Sequence, residues 1–186
     1  MKFFSGFYEQ PISSEGTKLF LSGSFSDSEP GSELESFEVK GESKTFKLKI
    51  THPFIRSRSE NLNGFIGYTN RDSETEILGK LDSEDRLRIF NLGASYDFVD
   101  GYQGVNLFSF NLSKGFNIFD ATETGSEKLT RSTGHSDFTK LTGEALRLQQ
   151  LAPSWMLLGE LSWQYSFEKL LASEEFGVGG AQFGRA

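Results

Sequence analysis

The chain has 186 residues, a formal net charge of -7 and no cysteine. This length fits one domain, and the lack of cysteine excludes disulfides and thiolate metal sites. The acidic balance argues against a nucleic-acid partner. The mean hydropathy is -0.40, and no apolar run of about 18 residues predicts a transmembrane helix. Transmembrane strands are not excluded, because they span only about 9–11 residues and are half polar.

Alternating apolar and polar residues predict about eight strands. They cover residues 2–9, 17–26, 46–51, 62–68, 90–98, 108–113, 138–148 and 155–167. In residues 138–148 the pattern breaks near Leu146, which leaves their register open, and residues 137–151 also fit a helical stripe. The 19 Phe and 20 Gly residues further favour an all-β, antiparallel up-and-down meander.

The predicted connections alternate between short and long. Short turns include one at Asp100-Gly101, a hairpin signal, whereas polar loops cover about 27–42, 70–85 and 117–136. Short turns at one end and long loops at the other are typical of an outer-membrane β-barrel. A soluble meander, barrel or sandwich with inward apolar faces is the alternative.

The last predicted strand shows the pattern most clearly. Its apolar face begins at Trp155 and ends at Trp163, Tyr165 and Phe167, with aliphatic residues and Gly159 between. Aromatic residues at both ends of an apolar band are typical of a strand that crosses a bilayer. The polar faces of the predicted strands carry Lys47, Lys49, Asn91, Asp97, Asn111, Glu144 and Glu160. These residues suit a water-filled lumen and equally suit the outside of a soluble sheet.

No catalytic, metal or cofactor motif emerges, so we expect no enzyme. His52 and His135 lack zinc-site spacing and are predicted to be solvated loop histidines. Solvation in loops also accounts for the paired carboxylates, which are Glu174, Glu175, Asp82, Glu84 and Asp85.

The tail also carries a partial phosphate-loop pattern. Gly179, Gly184 and Arg185 have the outline of such a loop, but arginine replaces lysine and Ala186 replaces the hydroxyl residue. Nucleotide binding is therefore rejected.

Four stretches resemble one known family. They are QPISSEGTKLFLSGSFSDSEPG, THPFIRSRSENL, LGASYDF and LLASEEFGVGGAQFGRA. The sequence resembles the outer-membrane transporters of two-partner secretion, the haemolysin secretion/activation (ShlB/FhaC/HecB) family. The resemblance implies a 16-stranded transmembrane β-barrel after periplasmic POTRA domains. It also implies residence in the bacterial outer membrane and export of a haemolysin- or adhesin-type partner polypeptide. A passive porin or a soluble β-barrel or sandwich binding protein is the alternative.

The resemblance also implies a functional loop. In the family, the loop after the eleventh strand folds into the lumen, and its tip carries a Val-Arg-Gly-Tyr/Phe motif. Phe183, Gly184 and Arg185 would lie at that tip, although Gly-Arg-Ala here replaces the commoner Val-Arg-Gly. We therefore expect residues 1–186 to be a partial barrel that ends inside this loop, without the POTRA domains and the final strands.

Overall fold

The structure is a computed structural model that describes residues 2–29 and 38–177. These residues form one antiparallel sheet of eight strands in chain order, followed by a 3₁₀ turn, Ala172–Glu174. The strands are β1 (Lys2–Pro11), β2 (Lys18–Ser28), β3 (Lys40–Arg56), β4 (Glu60–Ile77), β5 (Lys80–Val99), β6 (Val105–Gly115), β7 (Thr139–Ala152) and β8 (Trp155–Ser166). The predicted all-β meander is confirmed.

One face of the sheet is apolar and uncovered. Strand pairing places Ile50, Ile66, Leu92 and Leu112 in one row that continues to Leu141. Side chains on this apolar face remain open to the surroundings, with Ile66 56% and Leu92 58% exposed. The predicted outward residues of β8, from Trp155 to Tyr165, share this face and its exposure. A continuous apolar face of this size is unfavourable in water and matches the lipid-facing band of a transmembrane barrel.

The opposite face, called the polar face below, carries the predicted hydrophilic residues. Strand pairing places Lys49, Asn91, Ser113, Lys140 and Ser166 in one row. The other predicted polar-face residues occupy the same side of their strands, at positions 47, 97, 111, 144 and 160. The prediction of one polar and one apolar face is confirmed.

The connection between β4 and β5 differs from the prediction. The predicted loop over residues 70–85 is wrong, because both strands extend through it to a two-residue turn at Leu78 and Gly79. The φ angles of 52° and 69° at these residues suit a hairpin turn with two left-handed residues. Alternation did not predict this hairpin because most of its residues are polar, and the backbone hydrogen bonds between strands need no apolar side chains. Arg88 and Asp72 form an ion pair of 2.6 Å across it.

Strand β3 is longer than predicted. The predicted end of this strand at residue 51 is wrong, since the strand continues to Arg56. The pairing register shifts between Pro53 and Ile55, where proline is accommodated at an irregularity. His52 thus lies within a strand rather than in a loop, and its Nδ1 is 2.8 Å from the hydroxyl of Thr17.

Strand β7 resolves the open register. Residues 139–152 form a strand rather than a helix. Leu146 pairs with Leu107 on β6 and with Glu160 on β8, so the register runs unbroken past it. The irregularity lies farther on, between Gln150 and Ala152.

The turn between β5 and β6 confirms the predicted hairpin but is longer than the Asp100-Gly101 pair, because β6 begins at Val105. The Asp100 carboxylate accepts hydrogen bonds from the backbone N–H of Tyr102 and Gly104, and from the side chains of Asn106 and Arg147. The Arg147 guanidinium contributes most to holding the pKa of Asp100 at about 2, below its ordinary 3.8. This carboxylate therefore fastens the turn to β6 and β7.

Candidate functional site

The polar face is a hydrogen-bonded, water-compatible surface. Asn91 accepts a hydrogen bond of 2.9 Å from the hydroxyl of Ser113, which also accepts one from Asn111. Farther along the face, Ser109 donates to Glu144 at 3.3 Å. Side chains that bond to one another in this way form a hydrophilic wall without exposing apolar groups to water.

Directly after β8 the chain turns back and runs over this wall. We call residues 168–177 the return segment. It begins where Glu168 accepts a 2.6 Å hydrogen bond from the backbone N–H of Thr139, at the start of β7. Its Lys169 carbonyl then accepts a 2.8 Å bond from the His135 backbone N–H. Gln164 on β8 donates to the backbone carbonyl of Glu174, so the segment lies over the polar face.

Glu174 fastens the return segment to two distant strands. Its carboxylate lies 2.7 Å from the Arg71 guanidinium on β4 and 2.5 Å from the Lys140 ammonium on β7. Both cations bind the backbone as well, since Arg71 donates to the carbonyl of Ser173 and Lys140 to that of Glu174. Two other strands separate β4 from β7, which corresponds to about 14 Å across the sheet. One carboxylate therefore bridges a substantial part of the wall.

These three residues, Glu174, Arg71 and Lys140, are called the Glu174 clamp below. The side chain of Glu174 is only 7% exposed, and those of Lys140 and Arg71 are 12% and 24% exposed. Such burial costs desolvation energy, which two opposite charges and further hydrogen bonds offset. Removing the carboxylate would leave two partly buried cations uncompensated. Loss of the Glu174 carboxylate should therefore weaken the attachment of the return segment strongly.

A small hydrophobic cluster supports the same segment. Its buried residues are Leu87, Ile89, Leu129, Phe138, Leu170 and Leu171. Leu170 and Leu171 come from the return segment, whereas Leu87 and Ile89 belong to β5 and lie on its polar-face side. Burial of a large aliphatic side chain contributes about 1.5–3 kcal/mol, so this cluster is a substantial second anchor.

The connection from β6 to β7 supplies the rest of that cluster and is fixed to β5. The backbone N–H and the hydroxyl of Thr130 both donate to Asp85, at 3.1 Å and 2.5 Å. Gly115, at the end of β6, is required because a Cβ atom there would overlap the backbone carbonyl oxygen of Ser136. The loop thus packs closely enough to complete the pocket that receives Leu170 and Leu171.

Sequence reasoning missed the main residues of this arrangement. The prediction that Glu174 and Asp85 are solvated loop carboxylates is wrong, because both are buried and bonded. Glu84, although it belongs to β5 rather than to a loop, is an ion-pair partner of Arg86. Glu175 is exposed and pairs with the Arg131 side chain. The sequence shows only the apolar Leu170-Leu171 pair just before Glu174, and this pair does not identify the two cations that Glu174 meets.

The predicted lumen-loop residues Phe183, Gly184 and Arg185 lie outside the described residues. Of the two predicted loop histidines, His135 does lie in the loop and its Nδ1 is 3.4 Å from the Asp137 carboxylate. Within residues 2–29 and 38–177, no three His, Asp or Glu side chains gather to hold a metal ion. In the same described part, no helix is long and apolar enough to cross a membrane.

Comparison with known proteins identifies the architecture. CdiB from Escherichia coli matches with a TM-score of 0.72 and 16% sequence identity, over 98% of this chain and 37% of that chain. The chain thus spans well under half the length of CdiB, and the eight strands correspond to part of its barrel. No curated protein matches in sequence. Residues 2–182 match the family described as haemolysin secretion/activation protein ShlB/FhaC/HecB, and the chain therefore belongs to that family.

Proposed function

We propose that the full-length protein is a bacterial outer-membrane transporter of two-partner secretion, and that this chain is an incomplete part of its 16-stranded barrel. Its cargo is a large partner polypeptide of the haemolysin or adhesin type. The apolar face contacts outer-membrane lipid, whereas the polar face lines the conduit. Family membership and the match to CdiB support this proposal. Transport along a polar conduit requires no covalent chemistry, so we propose no enzymatic activity.

The observation that carries the proposal is the anchored return segment. A passive pore needs a hydrophilic wall, but it has no need of a chain segment fixed across that wall by a buried carboxylate. The Glu174 clamp holds the backbone that leads towards residues 178–186. We propose that these residues form a loop inside the lumen, with Phe183, Gly184 and Arg185 at its tip.

Arg185 has a specific proposed role at that tip. A guanidinium can form a bidentate pair with a carboxylate, which would pin the loop in a partly desolvated lumen. The loop would then have two fixed points, with Arg185 at the tip and Glu174 at the base. Such an arrangement allows the tip to be released while the base stays attached.

The test is Arg185→Ala in the full-length protein, with secretion of the partner polypeptide and the amount of folded outer-membrane barrel measured together. Arg58→Ala is the control, because Arg58 lies exposed in the short connection between β3 and β4. We expect secretion to fall strongly in Arg185→Ala while barrel levels hold, and both to remain normal in the control. Normal secretion by Arg185→Ala would refute the role of the tip. Ion conductance without any partner export in the unaltered protein would instead support a passive porin.

A further inference from the structure

A second group of residues on the polar face lies apart from the Glu174 clamp. Here an open recess of about 320 Å³ lies between strands β2 and β6. We call it the lysine–aromatic recess, and its lining residues include Phe20, Lys47, Lys49, Phe65, Thr69, Asn91 and Asn111. It combines two ammonium groups, two aromatic rings and several hydrogen-bonding side chains in one place.

The rings hold one of the lysines in a fixed position. The ammonium of Lys49 lies 5.3 Å from the centre of the Phe20 ring and 5.7 Å from that of Phe65. Phe20 in turn stacks on Phe7 with ring centres 6.1 Å apart. The Phe65 ring lies where a side chain on Gly93 would be, so this glycine makes room for it. Cation–π contacts on two sides restrain the ammonium without neutralising its charge.

The charge of the recess lacks compensation. Within the described part of the chain, neither Lys47 nor Lys49 forms an ion pair with a carboxylate, whereas Lys18 on the same face pairs with Glu9 at 2.8 Å. Two uncompensated cations in one recess favour a ligand that carries carboxylates.

We propose that the lysine–aromatic recess binds an extended, acidic stretch of the exported polypeptide during its passage. Cargo carboxylates would pair with the ammonium groups of Lys47 and Lys49. The exposed faces of the two rings would contact aliphatic parts of the cargo. Charge complementarity favours an acidic occupant, because Lys47 and Lys49 line the recess without carboxylate partners among the described residues. The inference rests on the proposed transport function and adds the chemical preference of one site along the conduit.

The experiment uses the full-length transporter and a partner polypeptide stalled in the barrel by a folded domain at its end. An insert of about ten residues, or roughly 33 Å of extended chain, precedes the stall point as either a Ser-Glu or a Ser-Gln repeat. A photo-crosslinking amino acid replaces Thr69 inside the recess. In a second protein it replaces Ser109, which lies on the same polar face outside the recess.

At position 69, the Ser-Glu cargo should crosslink about fivefold more than the Ser-Gln cargo, as two partly screened ion pairs allow. This preference should disappear in Lys47→Gln/Lys49→Gln. It should survive in Lys47→Arg/Lys49→Arg, which keeps both charges, and in Lys18→Gln, which removes a lysine that is already paired. At position 109, the two cargoes should crosslink equally. Heat-modifiable migration of each variant confirms that its barrel is folded.

Equal crosslinking of the two cargoes at position 69 would overturn the inference. Crosslinks from position 69 to the transporter itself would also overturn it, because the recess would then hold a segment of its own chain. If cargo crosslinks only at position 109, the recess proposal fails and the transport proposal stands. If neither position crosslinks cargo in a folded barrel, the transport proposal fails, and this inference fails with it.

Discussion

Replacing Glu174 by Gln should weaken the attachment of the return segment to the sheet. The substitution keeps the size of the side chain and removes its charge, so Arg71 and Lys140 lose their shared partner. Breaking a buried ion pair costs about 3–5 kcal/mol. The 24% and 12% exposure of the two cations lets water compensate in part, which reduces the expected cost to about 2–3 kcal/mol. Opening of the return segment should therefore become roughly 30- to 150-fold more favourable.

Hydrogen exchange measures this opening directly. The reporters are the backbone N–H groups of Glu174, which donates to Leu171, and of His135, which donates to Lys169. In the full-length protein, both should exchange faster in Glu174→Gln by about that factor, while β-strand amides keep their rates, because local opening is a separate equilibrium from global unfolding. The matched control is Glu175→Gln, one residue away, where the carboxylate is exposed and pairs with Arg131.

Equal exchange rates of the reporter amides in Glu174→Gln and Glu175→Gln would refute this reasoning. In that case the buried, doubly paired carboxylate would stabilise the return segment no more than a surface ion pair does. A second variant, Lys140→Met, separates charge loss from packing, because it leaves Arg71 to neutralise the carboxylate. Its effect should be smaller than that of Glu174→Gln, since only one of the two ion pairs is lost.

Three further predictions concern other parts of the sheet. Acidification from pH 4 to pH 2 should loosen the β5–β6 turn. The Asp100 carboxylate, whose folded pKa of about 2 lies below its ordinary 3.8, stabilises the turn above that range, and this stabilisation is lost as the pH falls through it. The protection factors of the turn amides, which correct each rate for intrinsic exchange at that pH, should therefore fall, and Asp100→Asn should remove this pH dependence. Gly115→Ala should displace the β6–β7 connection and lower the protease resistance of residues 129–138, at a cost of about 1–3 kcal/mol. If the apolar face contacts lipid, Ile66→Lys should destabilise the folded barrel by about 2–4 kcal/mol and lower the amount of barrel in the membrane. Asn91→Lys on the polar face should leave that amount unchanged. Equal effects of the two substitutions would favour a soluble sheet.

The faces of the strands could be predicted because alternation is a local property. In β8, every second residue from Trp155 to Tyr165 is large or apolar apart from Gly159, and the pattern needs no knowledge of the neighbouring strands. Where the apolar band ends, the same reasoning fails. Residues 70–76 of β4 and 82–86 of β5 are polar on both sides, and only their pairing reveals them as strands. Sequence patterning thus located the bilayer-sized part of the sheet and missed its extension.

The Glu174 clamp could not be predicted for a different reason. Glu174 lies 103 residues from Arg71 and 34 residues from Lys140 in the chain, and no sequence period relates these positions. Each looks like an ordinary solvated charge until the return segment folds over the sheet. The family resemblance directed attention to Arg185, which lies eleven residues beyond Glu174 in the sequence. The structure instead describes the base of the segment, where long-range packing rather than a motif determines which charges meet.

The two anchors of the return segment have different physical consequences. The hydrophobic cluster around Leu170 and Leu171 is non-directional, so it tolerates small shifts of the segment against β5. The Glu174 clamp is directional, since two charge-assisted bonds from separate strands fix one carboxylate. Apolar burial therefore keeps the segment on the wall, whereas the clamp determines its position on the wall. In the proposed lumen loop, the two kinds of contact together would keep the base attached if the tip were released.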